Sequence, residues 1–209
     1  MILIPFRITE QLLQKLGLLF GFLAVTNFFK HDPLQLLSDP NLTIEGSPLY
    51  SYATSIFSVT LILPPLQLNL YKNPNNLTTQ LFIRDLYLAY FVKDFFLPMS
   101  TMVTIHHVIC LYLVAGCKQI DLYILLSAVF VGEVGSCSTN IFYVLGLPNH
   151  ILNFATMTLS NLAAIRYGLK LREKHMKIFC YTVMLTLLGF REKVIWDEYT
   201  SPPLRPLSI

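Results

Sequence analysis

The chain has 209 residues, of which 54% are hydrophobic and 13% charged, with a formal charge of +3. A soluble domain carries about a quarter charged residues, so this composition, with a mean hydropathy of +0.57, excludes an ordinary soluble enzyme and predicts an all-α polytopic membrane protein. The small net charge implies no nucleic-acid partner.

Each membrane-crossing helix needs ~20 apolar residues, which predicts about seven spans. Residues 1–10 form a short mixed leader and residues 11–29 a first span. Lys30, Asp32, Pro33, Asp39, Pro40, Glu45 and Pro48 make residues 30–48 a loop. A second span covers residues 49–71 and contains Pro64-Pro65, which should kink or break it. After an Asn-rich and Pro-containing loop comes a third span, residues 81–97, the least apolar, with Arg84, Asp85, Lys93 and Asp94. Pro98 ends it. The fourth span, residues 101–116, carries His106 and His107. The fifth, residues 120–145, has Glu133 near its middle, and a Gly146/Pro148 turn leads to the sixth, residues 150–169. A basic cluster precedes a short seventh span, residues 176–190, and residues 191–209 read as an extended tail. The chain thus divides into residues 1–48 (leader, first span and loop), a main domain at 49–190, and the tail at 191–209. A cleavable signal peptide is not expected, because Arg7, Glu10 and Lys15 precede the first apolar run and no small-residue cleavage site follows it.

Lys and Arg divide unevenly between alternate loops. Arg7, Lys15, Lys72, Lys118, Lys170, Arg172, Lys174 and Lys177 fall on one side, which is therefore assigned to the cytosol. The C-terminus then lies outside or in the lumen. Two sequons follow this assignment: Asn41-Leu42-Thr43 is lumenal and open to glycosylation, whereas Asn76-Leu77-Thr78 is cytosolic. Cys110, Cys117, Cys137 and Cys180 form no Cys-x-x-Cys pair, and they read as small buried residues rather than a zinc or disulfide framework.

Ionisable residues inside a membrane are costly and mark functional sites. Adjacent helical residues point about 100° apart, so His106 and His107 cannot do the same job. One projects inward and the other packs against a neighbouring helix. They are poorly placed to share one metal, and no metal ligand set is assigned. Glu133, Ser136, Cys137 and Asn140 form one stripe at i, i+3, i+4 and i+7. A carboxylate there can hold a histidine N–H across the interface, fixing its tautomer and raising its basicity. Tyr87, Tyr90 and Asp94 form a second stripe, and Asp85 points the other way. Lys93 is expected to snorkel or to pair with an acid on another helix, and Arg84 to snorkel. Asn153, Thr156 and Ser160, with Thr158 and Asn161, read as polar glue between helices. Arg166 either snorkels or contacts a phosphate or carboxylate.

Three segments in order resemble the TLC-domain family, the membrane fold shared by ceramide synthases and translocating-chain-associating proteins. Tyr90-Phe91-Val92-Lys93-Asp94 is similar to its aromatic segment ending in Asp, His106-His107 to its paired histidines, and Glu133-Val134-Gly135-Ser136 with Asn140 to its glutamate-plus-serine helix. Arg166 is a fourth match. The resemblance covers roughly residues 50–190. The short Asp94–His106 spacing, the missing acidic signature and Val108 after the histidines point to a branch other than true ceramide synthases. The resemblance implies six helices in a ring around a lipid-sized cavity. It also implies a histidine handling an acyl group delivered by acyl-CoA as co-substrate, with no bound cofactor. His106 would be the reactive imidazole, His107 its support, and Glu133 and Asp94 the orienting or proton-accepting carboxylates. Arg166, Lys170 and Arg172 would meet the anionic co-substrate or lipid headgroups. The expected setting is the endoplasmic reticulum or another endomembrane, with membrane lipids as partners. Three function classes remain open: an acyltransferase, a non-enzymatic lipid binder or sensor, and a redox or metal protein using the histidines.

Overall fold

The computed structural model describes residues 6–145, apart from 33, 36, 40–42, 45 and 46, together with residues 150–200. The described residues are almost wholly helical. The Gly146/Pro148 turn, the sequon residue Asn41 and residues 201–209 lie outside them.

The helices are α1 (Phe6–Lys30), α2 (Leu49–Phe57), α3 (Leu63–Lys72), α4 (Leu77–Asp94), α5 (Thr101–Gly116), α6 (Gln119–Leu145), α7 (His150–Gly168) and α8 (Lys174–Thr200). Ahead of α2, Thr43–Ile44 and Ser47–Pro48 pair as a minimal antiparallel hairpin, which gives the loop of residues 30–48 a small element of its own. Three helical stretches, Glu10–Lys30, Leu49–Lys72 and Gln119–Phe142, are long and apolar enough to cross a membrane.

The Pro64-Pro65 pair does not break its helix. Instead α2 and α3 are joined by a π-helical turn, Ser58–Ile62, in which the Leu63 N–H donates to Ser58 O. Each proline ring would press on the carbonyl four residues earlier, Thr60 or Leu61. The π-helical turn widens the backbone where those carbonyls sit, and the rod continues. Helix α4 starts four residues earlier than the apolar pattern suggests, because the Asn76 side chain accepts from Thr79 N at 3.1 Å and caps it. Residues 191–200 are helical, not extended, since α8 runs on to Thr200. The charges there mark the end of an apolar run, but Arg, Glu and Lys are good helix formers and the first breaker is Pro202.

Helix α6 is central, touching α2, α3, α4, α5 and α7. Its contact with α7 is the most extensive in the molecule. Gly135 permits it: a Cβ there would sit 1.8 Å from Ser160 Oγ. Across the same seam Thr139 Oγ1 donates to Asn153 Oδ1 (2.8 Å), and Ser138 and Thr156 hydroxyls meet at 2.9 Å. Small residues that admit close approach, joined by hydroxyl bonds, hold helices together where lipid removes the hydrophobic drive. Thr158, Ser160 and Asn161 bond instead to backbone carbonyls of their own helix. The core combines Tyr87, Tyr90 and Phe91 of α4 with Leu122, Leu125 and Leu126 of α6. Large apolar side chains lie outside, among them Leu12, Leu13, Phe20 and Phe28 of α1, Leu61, and Leu159. That distribution suits a hydrocarbon solvent.

Candidate functional site

Six residues separate α4 from α5. Ser100 starts α5, its Oγ accepting from Val103 N at 3.3 Å. The short connection brings the end of α4 beside the second turn of α5, so Asp94 faces His107. Helix α6 runs across both and presents Glu133 to His106.

Two networks result. In the first, Asn140 Nδ2 donates to Ser55 Oγ (3.2 Å), which lies 2.8 Å from Tyr90 Oη. The Tyr90 hydroxyl donates to Glu133 Oε2 at 3.1 Å, and Glu133 Oε1 lies 3.5 Å from His106 Nε2. Asn140 and Tyr90 both send protons toward Glu133, so the Ser55 hydroxyl passes its own to Tyr90. An ionised carboxylate accepts only, at both oxygens, and Glu133 is the natural sink of this chain. Four helical elements, α2, α4, α5 and α6, are tied together through it.

The second network is built on the buried Lys93, whose ammonium lies 2.5 Å from Asp94 Oδ1 and 4.6 Å from the centre of the Tyr90 ring. Lys93 therefore neither snorkels nor reaches another helix for its acid; it pairs with its own neighbour. A buried charge without a partner costs far more than the pair, so Asp94 is committed first to Lys93. Its Oδ2 stands 3.4 Å from His107 Nδ1, outside hydrogen-bonding geometry. His107 is buried, edge-on to Phe91 with ring centres 5.4 Å apart, and near Phe95.

His106, His107, Glu133 and Asp94 thus come together around one polar pocket of about 110 Å³, also lined by Ser55, Tyr90, Ser136 and Asn140. That volume holds a few waters and is smaller than the lipid-sized cavity expected above. On the other side of His106 lies a narrow crevice of about 40 Å³ between α5, α6, α7 and α8, mostly apolar, lined by Cys110, Leu113, Leu125, Val129 and Met184 among others. Among the described residues, only His106 and Glu133 face both spaces.

Arg166, Lys170 and Arg172 are exposed and line neither space. Lys170 lies over the Tyr167 ring at 5.4 Å. The Arg172 backbone N–H donates to both oxygens of buried Asp121 (2.9 and 3.0 Å), and Glu173 N joins it at 2.9 Å. Asp121 thus secures the turn before α8. Beside it Lys118 pairs with Glu173, whose carboxylate, first by hydrogen bond and then by charge, holds the lysine above its ordinary range. Arg84 pairs with Asp85 at 3.0 Å, and Lys15 approaches the same carboxylate at 4.0 Å, away from the pocket.

Sequence reasoning missed Ser55 and Cys110. Ser55 has Ser51 and Ser58 at i−4 and i+3, a polar stripe in the second span that signals an interior face but not which helix it meets. Cys110 is one turn after His106 on the same face, a signal that His-x-x-x-Cys spacing carries. Compared with known proteins, the chain matches no family model, no curated protein and no solved structure.

Proposed function

We propose that the protein is a TLC-type acyltransferase of the endoplasmic reticulum or another endomembrane, with seven spans, six of them around the site, and a cytosolic N-terminus. One observation carries this reading: His106, backed by Glu133, stands in the wall between a polar pocket and an apolar crevice. With its Nε2–H turned to Glu133, the imidazole has its lone pair on Nδ1. That nitrogen attacks the thioester carbonyl of a fatty acyl-CoA, the C–S bond breaks, and the thiolate leaves. The acyl-imidazole loses its ring proton toward Glu133. An amine or hydroxyl of a lipid acceptor then attacks the acyl carbon and forms an amide or ester; Glu133 returns its proton to Nε2, which restores the imidazole, and the acceptor's own proton goes to the coenzyme A thiolate. Imidazole suits both steps near neutral pH, and displacement of the pocket's water by the acyl chain and lipid acceptor protects the intermediate from hydrolysis. Lys170 and Arg172 attract the phosphates of coenzyme A at the cytosolic face, with Arg166 nearby.

The small volume of the polar pocket, and the absence of Arg166, Lys170 and Arg172 from its lining, favour a second reading, a lipid binder that senses membrane composition without turnover. Lipid profiles of cells carrying the wild type or a His106→Ala/His107→Ala variant separate the two. A change in one class of acylated lipid supports the acyltransferase; indistinguishable profiles overturn it.

A further inference from the structure

The acyl-transfer reading makes no use of Cys110, yet its sulfur stands at the reactive ring. Cys110 Sγ lies 3.7 Å from His106 Nε2, and the same Nε2 lies 3.5 Å from Glu133 Oε1. One donor atom from each of the three residues falls within 4.8 Å of the others. A tetrahedral zinc ion has bonds of about 2.05 Å to nitrogen, 2.1 Å to oxygen and 2.3 Å to sulfur, which place its N and O ligands about 3.4 Å apart and its N and S ligands about 3.6 Å apart. Two of the three edges therefore already have the length an ion would impose. The Tyr90 hydroxyl holds Glu133 by Oε2 and leaves Oε1 turned to the histidine, the kind of outer contact that orients a metal-binding carboxylate. Cys110 and Glu133 are buried, and the crevice beside them gives a fourth position room.

We propose that His106, Cys110 and Glu133 form a binding site for a single Zn²⁺ ion, with the fourth position open toward the crevice. The mixed N, S and O set suits zinc better than a hard cation such as Mg²⁺. On binding, the thiol gives its proton to solvent and the His106 proton moves from Nε2 to Nδ1. The site stands on its own geometry. Its consequence rests on the acyltransferase reading: with Nδ1 protonated, the ring is no nucleophile, so zinc and acyl transfer exclude each other and zinc acts as an inhibitor.

The test uses full-length protein in detergent, prepared without a polyhistidine tag, stripped with chelator and titrated with Co²⁺. One equivalent is expected to bind with a thiolate-to-cobalt charge-transfer absorption that Zn²⁺ abolishes. Cys110→Ser should lose that absorption while Cys137→Ser keeps it, and Glu133→Gln should weaken binding at least tenfold. In the wild type, Zn²⁺ should slow alkylation of Cys110 at least tenfold but not that of Cys137, a readout that needs no variant to fold. No thiolate absorption at a hundredfold excess of Co²⁺, absorption that survives Cys110→Ser, or Cys110 alkylation indifferent to Zn²⁺ overturns the site. Metal-free protein that takes up an acyl group but binds no cobalt overturns the site alone. Cobalt binding with no acyl uptake by the metal-free protein overturns the acyl reading alone.

Discussion

Glu133 Oε1 lies 3.5 Å from His106 Nε2 across the α5–α6 interface, while its other oxygen receives the Tyr90 hydroxyl at 3.1 Å. The carboxylate is thereby held between the His106 imidazole and a fixed donor. Glu133→Gln keeps the shape and an acceptor for Tyr90 but removes the carboxylate that takes the ring proton in the proposed acyl transfer. General-base assistance is worth roughly 10²–10⁴-fold, so the expected result is acyl-transfer activity lowered about a hundredfold or more, with the variant still folded by gel filtration. Tyr90→Phe should give a smaller loss, because it frees the carboxylate without neutralising it. Equal activity in wild type and Glu133→Gln would remove Glu133 from the mechanism.

The α6–α7 seam depends on Gly135. A Cβ there falls 1.8 Å from Ser160 Oγ and 2.8 Å from Ser160 Cβ. Gly135→Ala should destabilise the protein by about 1–3 kcal/mol, the usual range for overpacking, read as a lower Tm in detergent. Adding Ser160→Gly removes both clashing atoms and should restore most of the loss. A Gly135→Ala Tm equal to the wild type would contradict this packing.

Asp121 accepts from two backbone N–H groups at the start of the turn into α8. Asp121→Ala leaves both without that acceptor and should cost about 1–2 kcal/mol, as loss of a helix cap does. Asp121→Asn retains one acceptor oxygen and should cost less. Limited proteolysis of the segment between α7 and α8 gives a second check: cleavage in Asp121→Ala is expected to quicken there first.

The Lys118–Glu173 pair lies between helix ends and has a direction in pH. The lysine's folded pKa is raised above its ordinary 10.5 by Glu173. Its contribution is therefore full below the ordinary value and is lost as pH rises through the folded one. The Tm of wild type and Lys118→Met should differ slightly at pH 8 and converge as the pH rises through the lysine's raised folded value. High salt should shrink the difference at pH 8, because the lysine is exposed and screened. A gap that widens at high pH would reverse the sign.

Most helix positions are legible in the sequence because they coincide with an apolar run bounded by Pro, Gly, Asn or charge; α8 departs from this by running on through charged residues to Thr200. Thr101–Gly116 has the expected bounds to the residue. The gathering of His106, His107, Glu133 and Asp94 is legible too, since each breaks an apolar pattern at a cost that needs a reason. Partnerships between helices are not. Periodicity places Tyr90 and Asp94 on one stripe, but the rotation of α4 against α2 and α6 decides that Tyr90 bridges Ser55 to Glu133. The choice of Lys93 for the adjacent Asp94 is a rotamer matter that spacing does not encode. The π-helical turn before Pro64 is likewise invisible, because the sequence signals the disruption and not how the backbone absorbs it.

Acyl transfer through His106 requires that its ring carry the acyl group. Intact-mass spectrometry of purified, metal-free protein after incubation with a fatty acyl-CoA tests it most directly. One fatty-acyl adduct is expected on the wild type, located on His106 by peptide mapping, discharged by a lipid amine or alcohol and absent from His106→Ala. No adduct on folded wild-type protein, or an adduct that persists in His106→Ala, would contradict it.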